Sequence, residues 1–178
     1  MEVGLLLVIG LGGCTSSKKI ARAEGLATLQ QMRSAVQDMD IVVSAGATKD
    51  EYSKRLTDAL LKFGDRDVGC KQAIAKFSDG EQQSIATEVC QHLSSAMDAY
   101  TYAKQYVGSE PDGYTATVAV KDYADAKERF PNLEEMSAVN TAGGYKWYRR
   151  DAMVQALWKV AGQESQAAQT DVEKLNQL

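Results

Sequence analysis

The clearest pattern in the chain is a stripe of apolar residues that recurs every three or four positions over residues 80–107. Its members are Ile85, Val89, Leu93, Ala96, Tyr100, Ala103 and Val107. Because this spacing matches the 3.6-residue turn of an α-helix, the pattern predicts a long amphipathic helix. Gly108 and Pro111 follow the stripe and are typical of the break after a helix.

Similar stripes before residue 80 predict three further helices, separated by glycines. The first covers about residues 17–44, and the third is a short helix over about 68–77. The second begins after Thr48, since Thr48 and Glu51 have the spacing of a capping box, and it ends at Phe63.

The C-terminal third of the chain has a weaker pattern. Residues 114–120 include β-branched residues, so this segment could be either a helix or a strand. Because a lone strand would lack a partner, we expect a helix over 114–130. One or two helical turns are expected over 133–139, and a last helix from Tyr145 onward. The tail, 163–178, has only a weak stripe, so we expect it to fray or to serve a partner.

Together these elements predict an all-α fold, an antiparallel helical bundle formed by a single domain over residues 20–178. A chain of 178 residues is long enough to bury one substantial core. Its net charge of −4 and isoelectric point near 5.1 argue against a nucleic-acid partner, which requires a basic surface.

The first residues differ in character from the rest. Residues 3–11 read VGLLLVIGL, a run without charge that is too short for a membrane-spanning helix, which needs about 20 apolar residues. Such a run is typical of the hydrophobic region of a secretory signal peptide. It ends in Leu11-Gly12-Gly13-Cys14, followed by polar residues. This motif resembles the lipobox of bacterial lipoproteins.

The resemblance implies that residues 1–13 are a signal peptide and that 14–19 form a short linker to the membrane. Cys14 would become the first mature residue and carry acyl chains such as palmitate. Two or three such chains hold a protein stably at a bilayer. Thr15, in place of an aspartate after the cysteine, favours the outer membrane, with the domain facing the periplasm.

The chain has three cysteines, so assigning Cys14 to lipid leaves Cys70 and Cys90. An exported domain lies in an oxidising compartment, where two remaining cysteines tend to pair. Both lie ten residues from the turn at Gly80, so an antiparallel hairpin places them at the same level. We predict a disulfide that staples one helical hairpin; the alternative is two reduced, buried thiols.

The sequence offers little for catalysis, metal binding or a cofactor. Its single histidine, His92, excludes a site built from several histidines, and on a helix it points away from Cys90 two residues earlier. No phosphate-binding glycine loop, haem-attachment motif or EF-hand is present. We therefore expect a non-enzymatic protein without metal or cofactor, with His92 at the surface; an enzyme remains an alternative only through His92.

One aromatic and basic segment is the strongest candidate for a binding surface. It consists of Tyr145, Lys146, Trp147, Tyr148, Arg149 and Arg150. Aromatic rings beside cations can stack on sugars or bases or lie at a membrane interface. The alternative is that Trp147 and one tyrosine only attach the last helix to the bundle.

Two functions are compatible with these sequence features. The first is a lipid-anchored accessory or assembly subunit of the bacterial envelope, which binds a partner protein through its helix faces. The second is a helical bundle that binds a small molecule, sugar or peptide near residues 145–150. An apolar cavity lined by Trp147, Trp158 and tyrosines would favour the second function, and a solidly packed bundle would count against it.

Overall fold

The computed structural model describes residues 13–108, 117–140 and 146–178, and within them it shows a helical bundle with a small sheet. Its helices are α1 (Gly13–Ser44), α2 (Lys49–Phe63), α3 (Arg66–Ala75), α4 (Gly80–Ala103), α5 (Val120–Arg129) and α6 (Arg150–Gln177). Its strands are β1 (Thr117–Ala119), β2 (Val139–Asn140) and β3 (Lys146–Arg149). The all-α prediction is confirmed. The signal segment through residue 12 and Tyr145 lie outside the described residues.

The long helices run up and down around one core. α2 and α3 together run antiparallel to α1. Lys62 of α2 pairs with Asp38 in the second half of α1, and α3, further along the chain, approaches α1 near its start, at Gly25. α6 also runs antiparallel to α1, and its most extensive contact is with α4. The largest fully buried side chains of α1, α4 and α6 are Leu29, Met32, Met39, Leu93, Tyr100, Met153, Leu157 and Leu175.

Side-chain caps and a glycine define the helix ends, and one of these caps, at Thr48, was expected from the sequence. The Thr48 hydroxyl accepts a hydrogen bond from the amide of Glu51 at the start of α2. α2 ends at Gly64, whose φ of 74° is readily adopted only by glycine. The Asp65 carboxylate caps α3, and Asp79 caps α4. α2 and α3 are therefore two helices because each end has its own stop or cap.

The predicted disulfide is present between α3 and α4. Cys70 and Cys90 are bonded, with a Cα–Cα distance of 5.8 Å. Within α3, which the structure describes throughout, only Ala73 is buried. Since so short a helix with so little buried surface is marginal alone, the disulfide holds α3 to the bundle.

The region after α4 corrects the sequence interpretation. Residues 117–119 form a strand, and 146–149, expected to begin the last helix, form its partner. β3 lies between β1 and β2 and pairs antiparallel with both. Residues 133–138 contain no helical turn. The helix predicted over 114–130 is confirmed for Val120–Arg129 and wrong for 117–119. The prediction assumed that a strand here had no partner, whereas the partner lies about thirty residues further along the chain.

The two ends of the chain also differ from expectation. α6 continues to Gln177, and Ala168, Val172 and Leu175 are buried, so 163–178 does not fray. The stripe is weak in sequence because it has few apolar residues, yet these are buried because α6 lies against α4 and α1. α1 begins at Gly13, so the backbone of 14–19 is helical rather than a linker. In the described ranges, none of the helices combines the length and apolarity needed to span a membrane.

Candidate functional site

A cleft of about 670 Å³ opens at one end of the bundle, between the sheet and the first turns of α6. The described residues that line it are Ala47, Thr48, Lys49, Tyr106, Val107, Gly108, Thr117, Val139, Arg149, Arg150, Asp151, Val154, Gln155 and Trp158. They come from separate stretches of the chain. The volume lies within the range of small-molecule sites in proteins.

One wall of the cleft is a face of the sheet. Thr117 pairs with Arg149, and Val139 pairs with Trp147. Paired residues of antiparallel strands lie on the same face, as do alternate residues of one strand. Trp147 therefore shares the face of Thr117, Val139 and Arg149, but unlike Trp158 it is not among the described residues that line the cleft.

The opposite face of the sheet packs against α5. It carries Val118, which is buried, and Tyr148, whose ring centroid lies 4.1 Å from that of Tyr123 in α5. The predicted aromatic and basic segment is thus divided by the strand. Trp147 and Arg149 face the cleft side, whereas Tyr148 attaches the sheet to α5.

The other wall is α6, where Val154 and Trp158 are one turn apart. The Trp158 indole stacks on Tyr52 of α2 at 5.7 Å and donates a hydrogen bond to its hydroxyl oxygen at 3.3 Å. The Tyr52 hydroxyl in turn donates to the Tyr100 carbonyl oxygen at 2.7 Å. Because burial raises the pKa of Tyr52 above its usual value, the phenol stays neutral and keeps this bond. The tryptophan is therefore held in place before any ligand arrives.

A buried polar cluster lies next to this wall. The Tyr100 hydroxyl donates to Asp40 of α1, and the Ser165 hydroxyl donates to the second oxygen of the same carboxylate at 2.7 Å. Burial, and then the Asp40 carboxylate, raise the pKa of Tyr100. The cluster joins α1, α4 and α6 within the core, and it is linked to the cleft wall only through Tyr52 and Trp158.

The mouth of the cleft carries more positive than negative charge. Lys49, Arg149 and Arg150 supply three cations, and Asp151 is the one carboxylate among the described lining residues. The Arg149 Nε donates to Asp151 at 3.0 Å, and the bond lowers the pKa of that carboxyl, which therefore stays ionised. Burial and a hydrogen bond with Tyr102 raise the pKa of Tyr106, which remains a neutral phenol.

Two smaller grooves adjoin the cleft and differ in charge. The first shares Lys49 with it and also contains Lys104 and Arg129, so it extends the positive side. The second shares Arg149 and Gln155 and contains Glu134, Glu135 and Lys159. The positive potential therefore spreads toward the end of α4, away from the acidic residues near β2.

The sequence identified part of this site. Arg149 and Arg150 line the cleft, and Trp147 lies half-buried on its sheet face, whereas Lys146 is exposed and Tyr145 is outside the described residues. Lys49 and Val107 were missed as cleft residues, because no local signal links the start of α2 and the end of α4 to the start of α6. The Cys14 side chain also lies outside what the structure describes.

His92 lies outside the cleft, at the contact between α4 and α6. Its Nδ1 lies 2.6 Å from Glu164 and its Nε2 lies 3.7 Å from Asp171, both on α6. Lys174 also pairs with Asp171, at 2.7 Å. The imidazole thus joins α4 to α6 beside the disulfide. Among the described residues, no group of three or more His, Cys, Asp and Glu side chains could hold a metal ion.

Comparisons with protein-family models, with curated proteins and with solved structures found no match to this chain. Any inference about function therefore rests on the geometry of the cleft and on the N-terminal motif.

Proposed function

We propose that the chain is a lipid-anchored, non-enzymatic protein of the bacterial cell envelope that binds a small organic molecule in its cleft. The observation that carries this proposal is the apolar wall of Val154 and Trp158, fixed by Tyr52 before ligand binds. Preorganised apolar walls with a few polar groups are typical of small-molecule sites.

The position of the cleft suits a protein anchored at Cys14. α1 has 32 residues and so extends about 48 Å from Gly13 to Ser44. Ala47, three residues beyond its end, lines the cleft. An acyl anchor on Cys14 would therefore leave the cleft at the far end from the bilayer, open to solutes of the periplasm.

Anchoring and binding are tested separately. Cys14→Ser should move the protein from the membrane fraction to the soluble fraction, and globomycin should block processing of the unmodified chain. The absence of palmitate on the unmodified chain, together with processing that continues in globomycin, would contradict the lipid anchor. It would leave the cleft hypothesis intact, because the cleft is about 48 Å away along α1.

Binding is tested with N-phenyl-1-naphthylamine, an uncharged aromatic probe whose emission rises in apolar sites. Val139→Asp places a carboxylate in the cleft at a residue that is 46% exposed and should weaken probe binding at least about tenfold. Val68→Asp is the matched control, since Val68 on α3 is 48% exposed and lies outside the cleft. Absence of saturable binding, or equal loss in both variants, would contradict the ligand-binding function.

A second candidate is the accessory subunit that binds a partner protein through helix faces. It is favoured by two large apolar side chains at the surface, Ile41 of α1 at 69% exposure and Leu61 of α2 at 78%. Crosslinking in membranes should then yield one partner that Ile41→Asp or Leu61→Asp removes and Val139→Asp retains. Crosslinks that persist in both surface variants would contradict this candidate.

A further inference from the structure

We propose that the cleft selects organic anions, small molecules with an apolar aromatic or branched body and one carboxylate, sulfonate or phosphate group. This inference rests on the proposed ligand-binding function and adds the charge and orientation of the ligand. Its basis is the placement of charged and apolar side chains within the cleft.

The charges are local to the cleft. The chain as a whole has a net charge of −4, yet the described lining has three cations and one carboxylate. A cleft with one dominant sign of charge and apolar walls focuses the potential and raises the local concentration of oppositely charged solutes. An anionic ligand is therefore favoured, and an acidic polymer is not, because the remaining surface is net negative.

The single carboxylate of the described lining is already occupied. Asp151 accepts from the Arg149 guanidinium through both of its oxygens. A cationic ligand would have to displace Arg149 from this pair and would also face Lys49 and Arg150. An anionic group would be attracted by the positive charges of Lys49, Arg149 and Arg150, although Asp151 already occupies the forked face of the Arg149 guanidinium.

Apolar and charged residues lie at different depths. Val107 and Val154 are buried, at 7% and 6% exposure, whereas Lys49 and Arg149 are exposed. The apolar body of a ligand would therefore enter between Val154 and Trp158, and its anionic group would stay at the mouth.

The test compares two probes with the same ring system. 1-Anilinonaphthalene-8-sulfonate carries a sulfonate that N-phenyl-1-naphthylamine lacks, so the ratio of their dissociation constants isolates the anionic group. We expect the sulfonate to bind at least about tenfold more tightly at low salt and to lose this advantage as ionic strength rises. The protein is the full chain carrying Cys14→Ser, with the Cys70–Cys90 disulfide formed.

Variants locate the effect. Lys49→Gln and Arg150→Gln should each weaken the sulfonate probe about fivefold and leave the uncharged probe unchanged. Lys71→Gln, which removes a cation from the exposed side of α3, is the matched control and should change neither. Near-ultraviolet circular dichroism confirms that each variant keeps its tertiary packing, since the sulfonate probe also binds loosened proteins.

The outcomes separate the two proposals. If both probes bind equally, or if Lys71→Gln weakens the sulfonate as much as the cleft variants do, the preference for anions is wrong and the cleft remains a ligand site. If neither probe binds, the ligand-binding function itself is wrong. A sulfonate preference lost in both Lys49→Gln and Arg150→Gln supports the inference.

Discussion

The two ends of the bundle are built in different ways. At the stapled end, defined by α3, the Cys70–Cys90 disulfide and the contact of His92 with α6, the chain is held by one covalent bond and an ionic cluster. At the cleft end, β3 and α6 meet the ends of α1 and α4 around an open space. One end is tied by a covalent bond, and the other is open at the proposed binding cleft, so substitutions at the two ends should have separable effects.

Removing the disulfide should have the largest effect and should test whether stability resides mainly at the stapled end. Because the bridge closes a loop of 20 residues, the double substitution Cys70→Ala and Cys90→Ala should lower the free energy of unfolding by about 3 kcal/mol. Urea denaturation followed by circular dichroism measures the change. Probe binding in the cleft should persist in the absence of urea.

If the variant without the disulfide also lost probe binding, the two ends would not be independent of each other. A change in stability below about 1 kcal/mol would instead mean that α3 is held by packing alone. Reduction of the unmodified protein with dithiothreitol is the matched control, because it breaks the same bond without altering any side chain in the core.

Tyr52→Phe should connect stability and binding, because Tyr52 supports the cleft from within the core. The substitution removes the bond to the Tyr100 carbonyl oxygen and the acceptor of the Trp158 indole. We expect a loss of about 1–2 kcal/mol in unfolding free energy, since the hydroxyl is buried, and weaker probe binding as Trp158 loses its fixed position. Tryptophan fluorescence and urea titration measure both.

Tyr148→Phe is the control for this substitution. Its ring contact with Tyr123 is retained in the variant, and the sheet face away from the cleft should tolerate it. If Tyr52→Phe destabilises the protein but leaves probe affinity unchanged, Trp158 does not need its core partner to form the cleft wall.

The same division explains what the sequence could predict. The helices of the bundle follow from periodic stripes within single segments and, for α2, from the capping box at Thr48. The disulfide follows from the equal distances of the two cysteines from Gly80. These signals lie within single segments or across one turn, so they can be recognised from the sequence without knowledge of the tertiary structure.

The cleft end depends on contacts between distant segments. β1 is a strand because Thr117 meets Arg149, and no pattern within 114–120 contains that information. Aromatic and basic residues pointed to Arg149 and Arg150, but Lys49 reaches the same cleft only because α2 begins where α4 ends. The strand β1 and the cleft residue Lys49 were therefore missed because both depend on contacts between segments that are distant in sequence.

His92→Gln should have a moderate effect confined to the stapled end. It removes the contact with Glu164 at 2.6 Å and the weaker one with Asp171, and both carboxylates are largely buried. We expect a loss of about 1 kcal/mol in unfolding free energy and unchanged probe binding. Abolished biological activity in a variant of unchanged stability would instead revive a catalytic role for this histidine.

Asp151→Asn should have the smallest effect and sharpens the picture of the cleft end. It removes the one carboxylate of the described lining and releases Arg149 from its pair. Since the pair is exposed, stability should hardly change. Affinity for 1-anilinonaphthalene-8-sulfonate should rise about two- to threefold, whereas the uncharged probe should bind as before.

The pH dependence gives this prediction a direction. Arg149 lowers the pKa of Asp151, so the carboxylate stays ionised throughout the range of roughly pH 5 to pH 8. The gain from Asp151→Asn should therefore be constant across that range. A gain that disappears on mild acidification would mean that Asp151 takes up a proton there, and that Arg149 is not its partner in solution.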